Sequence, residues 1–110
     1  MNKISVSIPG CNGRMGKTLV KLILENSKYE IASATCLPDE DSVGVDIGLF
    51  AGKNKINKEI KTEPTSLFQN SHVLIDFTVP EATMFHAKEC YKKNMPIVIG
   101  TTGLNDDQEK

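Results

Sequence analysis

The sequence predicts an α/β fold in which helices cover both faces of a doubly wound, mostly parallel sheet, giving three layers. Short apolar runs of strand length alternate along the 110 residues with amphipathic stretches of helical length. Two of the runs, 72–77 and 96–100, are almost continuously apolar, as strands covered on both faces must be. A glycine-rich turn joins the first strand to the first helix. We therefore expect a single α/β domain over residues 1–110.

The first third of the chain has the pattern of one β-α-β unit. Alternating apolar residues over 3–9 predict a strand, and a second strand is predicted over 30–36. Between them, apolar residues recur at helical spacing, which predicts a helix over 14–26 with these side chains on its apolar face. They are Met15, Leu19, Val20, Leu22 and Ile23.

The rest of the chain continues the alternation. Pro64 suits the first turn of a short helix, and Thr78 with Glu81 has the spacing of a capping box. Asn105 and Gln108 predict the start of one more helix, which the end of the chain interrupts, so the fold is expected to be incomplete at its C-terminal side. The predicted elements are an irregular excursion over 43–57, a polar edge strand over 58–62, a short helix over 65–70, a strand over 72–77, a helix over 79–92 and a strand over 96–100.

The composition favours an ordinary soluble domain. Hydrophobic residues make up 39% and charged residues 25%, with a net charge of -1, so there is no basic face of the kind a nucleic-acid binder needs. The three cysteines are odd in number and lack metal-ligand spacing, which favours a reducing, cytoplasmic setting. The sequence contains neither a signal segment nor an apolar run of membrane-spanning length.

The glycine-rich turn at 10–16 is the strongest functional signal. Glycines allow a sharp turn, a close approach of phosphate oxygens to the backbone amides, and tight packing of helix on strand. The helix behind the turn offers unpaired N–H groups and the positive end of its dipole to an anion. The pattern therefore predicts a phosphate site of the Rossmann type, although a plain tight turn and a solvated Arg14 are the structural alternatives.

Two features of this motif leave its ligand open. Gly16-Lys17-Thr18 ends like a nucleoside-triphosphate loop, but the required first glycine would fall at Cys11, so that interpretation is disfavoured. The second strand ends in Cys36-Leu37 rather than in the acid that usually binds the adenine ribose, and Asp39 comes only later. The choice between NADH and NADPH is therefore open.

For the histidines, Asp76 and the cysteines, a structural role is the first interpretation. His72 and His86 lack a partner at a suggestive spacing, and Asp76, inside an apolar strand, is expected to be a hydrogen-bonded structural acid rather than a general base. Cys11 and Cys36 follow neighbouring strands, so their oxidation to a disulfide is a hypothesis beside the simpler one of two small apolar residues.

Three motifs together resemble a known family. The turn 10–16 with its Gly-Arg-Met-Gly ending, the segment Ile-Asp-Phe-Thr-Val-Pro-Glu at 75–81 and Val-Ile-Gly-Thr-Thr-Gly at 98–103 resemble 4-hydroxy-tetrahydrodipicolinate reductase, also called dihydrodipicolinate reductase, in order and spacing. The resemblance spans nearly the whole chain and is to the family's amino-terminal cofactor domain. It implies a reductase of the diaminopimelate route to lysine that uses NADPH or NADH.

The resemblance also implies which residues contact the cofactor. Those of the glycine turn would bind the dinucleotide, those after the third strand would line the same cleft, and those after the fourth would contact the nicotinamide end. They are Gly10, Cys11, Asn12, Gly13, Arg14 and Met15, then Phe77 and Thr78, then Gly100, Thr101 and Thr102.

This chain departs from the family pattern in what it lacks. Cys36-Leu37 replaces the acid-then-base pair that the family often has after its second strand. The histidine-rich substrate motif with its lysine, which the family carries in a second domain that also forms a homotetramer, is absent from these 110 residues. The chain alone is therefore expected to bind cofactor without catalysing reduction of the cyclic dicarboxylate, and no catalytic or metal-binding residue is assigned to it.

Overall fold

The computed structural model describes residues 3–62, 64–76, 78 and 80–100. In chain order the elements are strand β1 (Ile4–Pro9), helix α1 (Arg14–Leu24), strand β2 (Tyr29–Thr35), a short helix α2 (Ile47–Phe50), a 3₁₀ helix (Pro64–Phe68), strand β3 (Val73–Asp76), helix α3 (Pro80–Lys92) and strand β4 (Ile97–Ile99).

The four strands form one parallel sheet in the order β2-β1-β3-β4. From β1 the chain crosses through α1 to β2 on one side and later returns to β3 and β4 on the other. Right-handed crossovers in opposite directions place their helices on opposite faces of the sheet. The predicted doubly wound, Rossmann-like α/β fold is thus confirmed, with the topological switch between β1 and β3.

Each face of the sheet has its own apolar cluster. On the α1 face, Val6 and Ile8 of β1 pack with Val20 and Ile23 of α1, and Val73 and Ile75 of β3 border the same cluster. Side chains alternate along a strand, so the intervening residues of β3 belong to the other face. There Leu74 packs with Leu67 of the 3₁₀ helix and Cys90 of α3.

Helix α1 buries a narrower stripe than its sequence predicts. Gly16, Val20 and Ile23 are buried, whereas Met15 is 53% and Leu22 56% exposed. The buried residues follow the i, i+4, i+7 rule, and Met15 and Leu22 lie on the flank of that stripe. The prediction that Met15 and Leu22 share one apolar face with Val20 and Ile23 is therefore wrong.

The predicted edge strand 58–62 reduces to two isolated pairs in opposite directions. Glu59 pairs with Asp46 in antiparallel fashion, and Lys61 pairs with Thr35 of β2 in parallel fashion. Residues 58–62 thus contact both the 43–57 excursion and β2. The Lys58 amide donates a hydrogen bond to Asp46 Oδ1 at 3.1 Å, and this bond holds the start of the segment against the excursion. That excursion, expected to be irregular, contains the short helix α2.

Two further predictions differ in detail or lie beyond the described residues. Helix α3 begins at Pro80, one residue after the start that the capping box predicts. The turn at 101–103 and the helix predicted from Asn105 and Gln108 lie outside the described residues. Among the described helices, none has the length and apolarity needed to cross a bilayer.

Candidate functional site

The glycine turn leaves β1 at Gly10, which has a φ of 65°. Positive φ is the region that glycine tolerates at little cost. The amide of Cys11 then donates to the carbonyl of Thr35 at 3.0 Å, and the amide of Gly13 donates to the carbonyl of Gly10 at 3.1 Å. These bonds hold the turn over the carboxyl ends of β1 and β2.

Two of the three glycines are required by the fold itself. A Cβ on Gly10 would lie 2.7 Å from Cγ2 of Thr78, and a Cβ on Gly16 would lie 2.5 Å from the carbonyl oxygen of Gly10. Gly16 is therefore the point at which α1 packs directly on the turn. Both contacts are closer than real Cβ atoms tolerate.

Gly13 has no such structural reason to be glycine. It is the N-cap of α1 with a φ of -73°, which any residue adopts, and a Cβ there would meet only the Gly10 carbonyl oxygen, at 3.5 Å. The N-cap makes no side-chain hydrogen bond to the first turn. Gly13, Arg14 and Met15 are all exposed, so the N-terminal end of α1, where the helix dipole is positive, is accessible from solvent.

Asp76 joins the end of β3 to this turn. Its Oδ1 accepts hydrogen bonds from the amide of Thr78 at 2.7 Å and from the Thr78 hydroxyl at 2.5 Å. The methyl group of the same Thr78 packs on Gly10. The expected structural, hydrogen-bonded Asp76 agrees with these contacts.

The other carboxylate oxygen of Asp76 faces His86, a partner that the sequence did not reveal. Nδ1 of His86 lies 2.7 Å from Asp76 Oδ2, and the two residues are 6% and 0% exposed. Burial alone would raise the pKa of Asp76, but the hydrogen bonds from His86 and Thr78 outweigh it and lower that pKa. The spacing in the sequence could have indicated that His86 is buried, since Thr83, His86 and Cys90 recur at helical spacing and form the buried side of α3.

Gly100 reaches the same place from β4. Its amide donates to the main-chain carbonyl of Asp76 at 2.7 Å. The structure therefore brings Gly10, Thr78 and Gly100 together around Asp76, at what we call the carboxyl edge: the carboxyl ends of β1 to β4. Phe77, Thr101 and Thr102, also predicted at this site, lie outside the described residues.

The end of β2 completes the carboxyl edge with apolar groups. Cys36 is buried, Leu37 is 65% exposed, and Asp39 follows in an exposed turn. Burial raises the pKa of the Cys11 thiol to about 12, and the neighbouring Cys36 adds to the effect. All three cysteines are free and buried.

Two alternatives from the sequence lose support here. The Nζ of Lys17 lies 5.3 Å from the centroid of the Phe50 ring, over α2 rather than over the turn, which does not suit a triphosphate lysine. His72 Nδ1 accepts a hydrogen bond from the Ser5 amide at 2.9 Å, a structural role. No group of three side chains suited to a metal ion occurs among residues 3–62, 64–76, 78 and 80–100.

A parallel sheet whose carboxyl edge carries a glycine turn and an open helix N-terminus defines a Rossmann-like domain of the nucleotide-binding class. Comparison with known proteins specifies the family. Residues 4–110 match the family model described as dihydrodipicolinate reductase, N-terminus. The chain belongs to this family.

Relatives and solved structures agree with that assignment. The 4-hydroxy-tetrahydrodipicolinate reductase of Acinetobacter baumannii is 36% identical over 94% of this chain and 38% of its own length. That of Wolbachia pipientis is 38% identical over 93% of this chain and 39% of its own length. The chain thus spans about two fifths of the length of these relatives.

Among solved structures, the dipicolinate-bound dihydrodipicolinate reductase of Paenisporosarcina is 27% identical with a TM-score of 0.71, covering 98% of this chain and 41% of that one. The NADP complex of aspartate semialdehyde dehydrogenase from Candida albicans has a TM-score of 0.67 at 13% identity, covering 92% of this chain and 30% of that one, and shows the shared fold alone.

Proposed function

We propose that the carboxyl edge binds NADPH or NADH, with the dinucleotide diphosphate on the exposed amides that open α1. The observation that carries this proposal is Gly13, a glycine that the fold does not require but that keeps the helix N-terminus uncovered. Phosphate oxygens need that close approach to the backbone. The family resemblance assigns Gly10, Cys11, Asn12, Arg14 and Met15 to the same end of the cofactor.

The end of the cleft nearest β3 and β4 suits the nicotinamide. Thr78 and Gly100 are both anchored to Asp76, so their backbone groups are fixed where the ring would lie. A bound dinucleotide supplies a hydride, and the protein's contribution is to orient the ring that carries it. Phe77, Thr101 and Thr102 are assigned to this end by the family resemblance.

We infer that the complete protein reduces 4-hydroxy-tetrahydrodipicolinate to tetrahydrodipicolinate in the diaminopimelate route to lysine. Family membership and relatives named as that reductase support this inference. We also propose that binding of the cyclic dicarboxylate and formation of the homotetramer need a further domain, as the family resemblance implies. Three free, buried thiols support a reducing, cytoplasmic location.

Titration of NADPH and NADH into the chain tests cofactor binding. The sequence contains no tryptophan, so nicotinamide fluorescence is measured without that background. Gly13→Val should weaken binding at least about tenfold, because its side chain covers the phosphate position. Thr18→Val, one turn further along α1, is the matched control and should bind like the unaltered chain.

A folded chain that binds neither dinucleotide would contradict the proposal, with circular dichroism confirming folding. Turnover of purified substrate by these 110 residues alone would contradict the assignment of catalysis to another segment.

The second candidate is a stand-alone nucleotide-binding module, and it predicts that a natural protein consisting of this domain alone binds dinucleotide in the cell without any reductase activity.

A further inference from the structure

We propose that His86 is a positioning residue for the dinucleotide site: its ring fixes Asp76, whose carboxylate in turn holds Thr78 against the glycine turn. The inference rests on the proposed function, because the site being positioned is the cofactor cleft. It assigns a role to a buried group that the cofactor itself does not contact.

The first step is the contact between α3 and β3. His86 Nδ1 and Asp76 Oδ2 are 2.7 Å apart, and both side chains are nearly inaccessible to water. A carboxylate kept ionised at a buried site needs charged or polar donors on its oxygens. The ionised Asp76 accepts a hydrogen bond from Nδ1–H of His86, and this bond fixes the orientation of the carboxylate.

The second step leads from Asp76 to the cleft. Asp76 Oδ1, the oxygen that does not face His86, accepts hydrogen bonds from both the amide and the hydroxyl of Thr78. These two bonds fix the side-chain rotamer of Thr78, and its methyl group then lies where it touches Gly10. A carboxylate turned away from His86 would no longer hold Thr78 in this orientation.

Two further residues of α3 lie near the pair. The Phe85 ring meets the His86 ring edge to face, with centroids 5.7 Å apart. Cys90, one turn beyond His86, is also buried, and its thiol pKa is raised by burial and by the negative charge of Asp76. Cys90 makes part of the same helix face without lying on the path from His86 to Thr78.

The test compares His86→Leu with Cys90→Ala and His86→Asn. Leucine at position 86 removes the N–H that donates to Asp76. Alanine at position 90 destabilises the same face of α3 but leaves the hydrogen bonds to the Asp76 oxygens in place. Asparagine offers an N–H near the position of Nδ1. We expect His86→Leu to bind NADPH about tenfold more weakly than the unaltered chain. Cys90→Ala should bind it with unchanged affinity, and His86→Asn should recover most of the affinity lost in His86→Leu.

A readout without ligand separates this inference from the proposed function. In amide NMR spectra, the Thr78 N–H, which donates to a carboxylate, should move upfield in His86→Leu and return in His86→Asn. An unaltered chain that binds no dinucleotide would overturn the proposed function. Unchanged Thr78 and Gly10 resonances in a folded His86→Leu, or equal affinity losses in His86→Leu and Cys90→Ala, would overturn the positioning role. If leucine prevents folding, His86→Met, which also removes the donor, supplies the same comparison, and an unchanged Thr78 resonance there would also overturn it.

Discussion

The Cα of Gly16 lies so close to the carbonyl of Gly10 that a Cβ built on it would be 2.5 Å from that oxygen. The first turn of α1 therefore packs directly on the loop that precedes it. This contact fixes the height of the helix N-terminus above the sheet, and with it the position of every amide that faces the cleft.

Gly16→Ala should accordingly damage the fold. The new methyl group meets backbone atoms, which cannot rotate away, so we expect a loss of about 2 kcal/mol or more in the free energy of unfolding. Gly13→Ala is the control, and it should cost less than about 1 kcal/mol because its φ is ordinary and its Cβ has room. Urea titration followed by circular dichroism measures both; equal losses would contradict the packing role of Gly16.

Gly10 is constrained in two ways that a double-mutant cycle can separate. Gly10→Ala places a side chain at positive φ and against the Thr78 methyl group, and should cost about 2 kcal/mol. Thr78→Ser removes that methyl group but keeps the hydroxyl that donates to Asp76. The pair of substitutions should therefore recover part of the loss, leaving the cost of the backbone. A strictly additive cycle would show that Thr78 does not press on residue 10.

The Asp76 carboxylate predicts a loss of stability in acid. Its pKa in the folded chain is lowered from 3.8, so its contribution is present above that value and is lost as the pH falls below it towards the folded pKa. Asp76→Asn should remove this part of the pH dependence and cost about 1–3 kcal/mol at neutral pH. Urea midpoints between about pH 5 and pH 2 measure it, and parallel curves for the two chains would contradict it.

The Cys11 thiol should be inert in the folded chain. With a pKa of about 12 it carries almost no thiolate at neutral pH, and thiolate is the reactive form. We expect Cys11 to react with iodoacetamide only under denaturing conditions and mild peroxide to cause no loss of thiols. Peptide mapping after each treatment is the measurement. A peroxide-induced bond between Cys11 and Cys36 would instead support the oxidation hypothesis.

Leu37 should control the choice of cofactor if the proposed function is correct. It is 65% exposed directly after β2, where the adenine ribose lies in Rossmann-type sites. Leu37→Arg should favour NADPH by pairing with its 2′-phosphate, and Leu37→Asp should favour NADH by about tenfold or more. The ratio of the two dissociation constants, measured in low and high salt, checks this. A ratio that neither variant changes would place the adenosine elsewhere.

The sequence predicted the local features of this fold and missed several that depend on packing. The glycine turn and the alternation of strands and helices along the chain follow from residue type and periodicity. The exposure of Met15 and the replacement of the 58–62 strand by two isolated pairs depend on which neighbouring elements pack against these residues. The pairing of His86 with Asp76 joins a helix to a strand across ten residues, and only the packing of α3 on the sheet brings the two together.

The strand order also governs how the chain can fold during synthesis. β1 leaves the ribosome first, yet it lies between β2 and β3, and β3 does not begin until Val73. Until that residue has emerged, β1 has a sheet partner on one side only. Until then the nascent chain carries an apolar inner strand with one unpaired edge, the kind of extended hydrophobic segment that chaperones bind.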